Sequence, residues 1–244
     1  MQQRIAFCWS GGKDSALALN RALRDERYQV VALLTTCNEQ FQRVSMHGVR
    51  IALLEAQADA IGLPLHKVFV SERGSNEEYI QKMGACLRTL QSQGVSACAF
   101  GDIFLEDLRL WREQNLAQIG MCGVFPIWKV DAQVLLREFF EHRFGSVICC
   151  VNDAWLDHSM VGRLFDQAFI DALPPEVDPC GENGEFHSFA FDGPIFRQPV
   201  GFQIGAKIYR PLDGGFTTSD SSAAAPATVA RQTHGFWFCD LLPT

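Results

Sequence analysis

Ile5-Ala6-Phe7-Cys8-Trp9-Ser10-Gly11-Gly12-Lys13-Asp14-Ser15-Ala16-Leu17-Ala18-Leu19 is the stretch on which the fold turns. Its first five residues are a continuous apolar run, the pattern of a strand buried on both faces. From Asp14 onward the apolar residues recur at helical spacing, so the chain passes from strand to helix through Ser10, Gly11, Gly12 and Lys13. Such a turn aims backbone N–H groups and the positive end of a helix dipole at one spot, which suits a phosphate. Two glycines let the backbone approach an anion closely, and Lys13 adds a mobile positive charge.

Working outward, strand and helix alternate. A second buried strand over 30–34 ends at Thr35-Thr36-Cys37-Asn38, and a polar loop over 39–46 leads to a helix over 49–61 stopped by Gly62 and Pro64. A strand over 66–70 precedes a helix over 76–93, with Asn76 read as its N-cap. A fourth strand over 95–100 ends at Gly101-Asp102, and 106–119 is again helical. This alternation predicts an α/β fold: an open parallel, Rossmann-like sheet with helices on both faces. Ligands bind such sheets beyond the carboxyl ends of the strands, where Ser10 to Ser15, Thr35 and Gly101-Asp102 all fall.

Beyond Pro126 the pattern changes, and a boundary is expected near residue 125, giving units 1–125 and 126–244. The second unit reads as a smaller α+β domain: a helix over 132–143, a strand over 146–151, a helix over 160–170, a loop over 174–185, and strands over 186–191 and 200–209. Asp192-Gly193-Pro194 is a turn, 217–228 reads as a flexible Ser/Ala/Thr-rich loop, and 235–242 as a strand pairing with 200–209.

The 244 residues, 48% of them apolar, are enough for a substantial core. A formal net charge of −7 argues against an extended nucleic-acid surface. No apolar stretch approaches the roughly 20 residues of a membrane span, and 5–9 is too short for a secretory core. A cytoplasmic protein is expected. Nine cysteines with no C-x-x-C pair fit free thiols better than zinc or redox motifs, and only Cys37 and Cys180 lie near polar, glycine-rich segments.

The phosphate loop fits neither G-x-x-x-x-G-K-[ST] nor G-x-G-x-x-G. Its S-G-G-x-D-S form resembles the PP-loop of the N-type (HUP-type) ATP pyrophosphatases, which split ATP into AMP and pyrophosphate. The resemblance implies that Ser10, Gly11, Gly12, Lys13 and Ser15 hold the pyrophosphate part of ATP. Asp14 would order the loop or help place Mg2+.

A second polar segment, Asp178-Pro179-Cys180-Gly181-Glu182-Asn183-Gly184-Glu185-Phe186-His187, concentrates glycines, carboxylates and a histidine in one loop. Read alone, Glu182 and Glu185 could bind a cation or amine, act as a base, or simply be solvated. Together with Ser10 to Ser15, Gly101-Asp102-Ile103, Pro126-Ile127-Trp128 and Asp192-Gly193-Pro194, this segment resembles the diphthine–ammonia ligase family of PP-loop ATPases. Asn183 and His187 depart from that family's G-E-G-G-E form and suggest a bacterial-like branch.

That resemblance implies an ATP-dependent ligase that adenylates a carboxylate and lets ammonia displace AMP. Adenine would lie at Leu34 and Thr35, and Gly101 and Asp102 would flank the ribose or α-phosphate. Glu182 and Glu185 would bind ammonium or a cationic group of the substrate. His47, Arg50, Glu106, Arg109 and His187 are further substrate-facing candidates, although Arg50 reads equally as a solvated cation and Glu106–Arg109 as an intrahelical pair. Trp111, Trp128 and Trp155 read as core or interface residues. Expected partners are ATP, Mg2+, ammonia and a carboxylate on a small molecule or modified protein side chain, and the apolar C-terminal strand is compatible with a homo-oligomer. Two other readings are RNA thiolation, with Cys37 or Cys180 carrying sulfur, and a nucleotide sensor without turnover.

Overall fold

The computed structural model describes residues 2–44, 47–71, 75–212 and 234–244. The expected loop over 217–228 lies outside them. β1 (Gln3–Cys8) leads through the glycine turn into α1 (Lys13–Arg24). β2 (Tyr28–Asn38), β3 (Arg43–Val44), α2 (Ile51–Ile61), β4 (Leu65–Val70), α3 (Asn76–Ser92), β5 (Ala97–Ala99), α4 (Glu106–Ala117) and β6 (Cys122–Val124) complete the first sheet and its helices. β4, β2, β1, β5 and β6 lie side by side and are all parallel. Counting the parallel strands alone, the spatial order is 3-2-1-4-5, a doubly wound order that reverses between β1 and β5. The expected α/β sheet is therefore present.

Period-two alternation sorts each strand's residues between two apolar layers. Ile5, Phe7 and Trp9 face α1 and α2 and join a large core with Leu19, Leu53 and Leu54. Ala6, Ala32, Leu34 and Cys98 face the other way, against Met83, Leu87 and Leu90 of α3 and Leu116 of α4. Right-handed crossovers place the helices so: the chain winds one way through α1 and α2 and the opposite way through α3 and α4.

A second sheet forms from β7 (Gly145–Asn152), β8 (Phe186–Asp192), β9 (Phe202–Pro211) and β10 (Gly235–Pro243), antiparallel in the order β8-β7-β10-β9. β10 pairs with β9 along its length, as the sequence predicts. α5 (Ala132–Glu141) leads into this sheet and packs on α1, where Glu138 accepts hydrogen bonds from the Arg21 guanidinium. α1 is thereby enclosed on nearly every side, which explains why residues 15–20 of that helix are all buried.

Four local expectations are corrected. Ser75, not Asn76, caps α3, its hydroxyl accepting the Glu78 N–H. The polar loop after β2 contains β3, which pairs with Cys37 and Asn38 on the β2 edge left free where β1 ends. β6 is a fifth parallel strand that three residues with a central glycine do not announce. The helix expected over 160–170 shrinks to α6 (Gln167–Asp171), because 162–165 hydrogen-bonds along β7: Ile148 N–H donates to Arg163 O, and Phe165 N–H to Ser146 O.

Candidate functional site

A cleft of about 500 Å3 opens over the carboxyl ends of β1, β2 and β5, at the reversal of strand order. That volume suits a nucleotide-sized ligand. One wall is the phosphate loop with Leu34 and Thr35, another is Gly101 and Asp102, and the third is the segment Gly181 to Ser188 from the second sheet.

The turn between β1 and α1 is held in shape from several directions. Ser10 Oγ and Ser15 Oγ lie 2.8 Å apart, tying its ends together. Gly11 takes φ +80°, a conformation that disfavours any side chain, and a Cβ there would meet Gln57 Oε1 at 2.8 Å. Gly12 caps α1 without a side chain of its own, and Gly101 packs so closely that a Cβ would sit 3.1 Å from the Ser15 backbone. β8 docks against the same turn, with Ala190 N–H donating to Gly11 O at 2.8 Å.

Gln57, from α2, fastens this joint. It is 0% exposed; its Nε2 donates to Gly11 O and Ala190 O, and its Oε1 accepts the Trp9 indole N–H at 2.9 Å. An isolated glutamine on a helix gives no sign of this role in the sequence.

Lys13 does not extend freely into the cleft. Its side chain is 5% exposed, its Nζ donates to both Asp14 oxygens at 2.7 and 2.8 Å and to Cys180 O, and it lies 5.4 Å from the centres of the Phe165 and Phe186 rings. Burial works against its charge, yet Asp14, Cys180 and Asp178 outweigh that and leave its pKa raised. The mobile cation expected from sequence is thus a buried one that joins the phosphate loop to the second sheet.

His47 and His187 stack at 4.6 Å between ring centres, with His47 Nδ1 3.3 Å from Ser188 O. Burial lowers the His47 pKa to about 4 and pushes His187 well below its ordinary range, with nearby Lys13 adding to both, so both rings are neutral near pH 7. Thr35 is 3% exposed on the cleft wall, and among the described residues its Oγ1 has no hydrogen-bond partner.

Glu182 lines the cleft and reaches across to the first sheet: its Oε1 accepts the Ile103 N–H at 2.7 Å and the Phe104 N–H at 3.4 Å. Burial, with Asp14 and Asp102 nearby, pushes its pKa up to about 8. Asp102 also lines the cleft and holds the Arg112 guanidinium at 2.7 and 3.2 Å. Burial opposes the Arg112 charge, but Asp102 leaves its pKa raised, while its guanidinium stacks 4.4 Å from the Phe100 ring centre. Sequence reading missed Arg112; its signal was a position one helical turn beyond Arg109, on the same face.

Four candidates lie elsewhere. Glu185 is 1% exposed and turned inward, its Oε1 accepting from Asp178 N–H and Asn183 Nδ2, so it shapes the loop instead of facing the cleft. Arg50 pairs with Asp240 at 2.6 Å, beside Arg43. Glu106 pairs with Lys129, and Arg109 with Glu113 one turn along, its guanidinium over Phe125 and Trp128. None of these four borders the cleft.

The arrangement fits ATP: a glycine-lined helix N-terminus, the Thr35 hydroxyl of β2, unsatisfied among the described residues, and a cleft between them. Mg2+ fits less directly. Among the described residues no three His, Cys, Asp or Glu side chains converge as a cage, and both Asp14 oxygens face Lys13. No described helix is long and apolar enough to cross a membrane.

A family model described as the diphthamide synthase N-terminal domain matches residues 3–122, and one described as the diphthamide synthase C-terminal domain matches residues 131–219. The diphthine–ammonia ligase of Homo sapiens is 24% identical over 224 residues, covering 81% of this chain and 82% of its own. That of Rattus norvegicus is 24% identical over 241 residues, covering 86% of each chain. Among solved structures, the phosphoadenylyl-sulfate reductase of Candida auris aligns with a TM-score of 0.33 at 13% identity, over 58% of this chain and 73% of its own. The U34-tRNA thiolase of Methanococcus maripaludis aligns with a TM-score of 0.33 at 17% identity, over 58% and 57%. The strand order, not these structural alignments, carries the fold.

Proposed function

The chain belongs to the diphthamide synthase family and is an ATP-dependent ligase, and from that premise we propose that it adenylates a carboxylate in the cleft and amidates it with ammonia. The observation that carries this reading is the meeting of three elements in one cleft: the glycine turn of α1, Gly101-Asp102, and the Glu182 segment. Residues 1–125 serve ATP, and 126–244 supply the substrate side.

ATP seats its pyrophosphate on the turn from Ser10 to Ser15, its adenine against Leu34 and Thr35, and its α-phosphate towards Gly101 and Asp102. The substrate carboxylate attacks the α-phosphorus: a new P–O bond forms, and pyrophosphate leaves with the electron pair of the bond that breaks. Backbone N–H groups at the helix N-terminus stabilise the charge that grows on the leaving group. Ammonia then attacks the acyl carbon, the C–O bond to AMP breaks with its electron pair going to the AMP phosphate, and the nitrogen gives up one proton to solvent. Glu182, one oxygen fixed by Ile103 and Phe104, presents the other to ammonium or to a cationic substrate group, whose positive charge would displace the proton that burial holds on the carboxyl. The trimethylammonium of diphthine, the substrate in the relatives' name, is one such group. Mg2+ would be held by the nucleotide's phosphates and supply charge neutralisation, Asp14 reaching it only once released from Lys13, and no step here is routed through it.

Sulfur transfer is not favoured: burial pushes the Cys37 thiol up to about 11 and the Cys180 thiol up to about 12, so neither is a ready thiolate. The nine free thiols support a reducing, cytoplasmic setting. Incubation with ATP, Mg2+, ammonium and a panel of carboxylates that includes diphthine tests the proposal, with nucleotides and pyrophosphate measured. AMP and pyrophosphate in equal amounts are expected. ADP would overturn it, and ATP binding with no turnover across the panel would favour the sensor.

A further inference from the structure

Ser188 lies on β8, is 3% exposed and lines the cleft beside the phosphate loop. Its Oγ accepts the Lys13 N–H, the first amide of α1, at 3.2 Å. A serine hydroxyl has one proton to donate and two lone pairs to accept with. Here the oxygen faces the amide, and among the described residues the hydroxyl proton has no acceptor. A buried donor without an acceptor is costly, and the cleft is the side from which an acceptor can reach this one.

The surroundings say what that is. The hydroxyl sits at the N-terminus of a 12-residue helix whose cap, Gly12, has no side chain. A Cβ on Gly12 would lie 3.1 Å from the Ser188 carbonyl, so the two backbones form one continuous wall. His47 and His187 on that wall are neutral, and the Lys13 ammonium is turned to Asp14 and Cys180. An anion here is therefore held mainly by hydrogen-bond donors.

We propose that Ser188 is a phosphate-binding residue: its hydroxyl, oriented by the Lys13 amide, donates its proton to an oxygen of the pyrophosphate part of ATP. The inference rests on the reading of Ser10 to Ser15 as the ATP site. It adds a ligand-binding group from the second sheet, 175 residues away along the chain.

Titration calorimetry on the full chain, with inorganic pyrophosphate, AMP and ATP as separate ligands, tests it. Ser188→Ala is expected to weaken pyrophosphate and ATP binding about tenfold, the effect of losing one hydrogen bond to a charged group. AMP affinity should stay within about twofold by the same bookkeeping, and Ser188→Thr should regain the lost affinity. Ser188→Cys fills the site with a weak donor and should resemble the alanine variant, so a folding defect in either one leaves the other to read. Pyrophosphate affinity equal to wild type in both variants overturns the proposal. Equal loss of AMP and pyrophosphate also overturns it, since that marks a purely structural role. A wild-type protein that binds no pyrophosphate overturns the loop reading itself, and needs no variant to show it.

Discussion

Glu182 is the residue at which charge and geometry are most tightly coupled. In solution its carboxyl would titrate near 4.5, whereas burial beside Asp14 and Asp102 raises it to about 8 in the folded protein. A carboxyl whose folded pKa lies above its unfolded one stabilises the fold fully below about 4.5, and that contribution is lost as pH rises to about 8. Glu182→Gln keeps an oxygen for the Ile103 amide and removes the titration. Its melting temperature should therefore gain on wild type as pH rises from 5 to 9, by about 2–4 °C for each kcal/mol in a chain of this size. A difference that stays flat across that range would show that Glu182 ionises like a solvated carboxylate. Lys13 has the opposite balance: it keeps its charge because Asp14 and the Cys180 carbonyl replace the water that burial removes.

Among the elements, those with strong periodicity were legible. The run 5–9, the glycine turn and the helix after it carry their pattern in consecutive residues, and the structure forms each of them. Elements fixed by distant partners were not. β6 is three residues long and exists because β5 offers it an edge, and 162–165 leaves the helix because β7 takes its hydrogen bonds. The site divides likewise. Ser10, Gly12, Thr35, Asp102 and Glu182 border the cleft, while Arg50 and Glu185 are taken up by Asp240 and by the backbone of their own loop. Charged side chains reveal their type in sequence, but their partners appear only in three dimensions. Gln57 is the extreme case, an unremarked helical residue that joins α2, the phosphate loop and β8. Gln57→Leu would strand the Trp9 indole N–H and the Ala190 carbonyl. Urea unfolding should show a loss of about 1–3 kcal/mol for each stranded group. A midpoint unchanged from wild type would remove Gln57 from the joint.

At the scale of the whole molecule the two sheets share one interior. Ile5 of the first sheet and Leu19 of α1 belong to the same apolar cluster as Phe169 of α6 and Phe186 and Leu241 of the second sheet. α1 lies between them, touching both β8 and α5. Two sheets with a common core unfold together, so calorimetry should record a single transition with equal van't Hoff and calorimetric enthalpies. Two resolved transitions would mean that each half holds its structure alone.

The docking of β8 on the glycine turn limits how such a chain can be recombined. A new substrate side grafted onto residues 1–125 would have to bring an amide where Ala190 meets Gly11 and a hydroxyl where Ser188 meets Lys13. A graft lacking them would disturb the nucleotide end although every residue there was left untouched. Shuffled libraries cut at residue 125 should therefore fail more often than libraries in which β8 travels with the glycine turn.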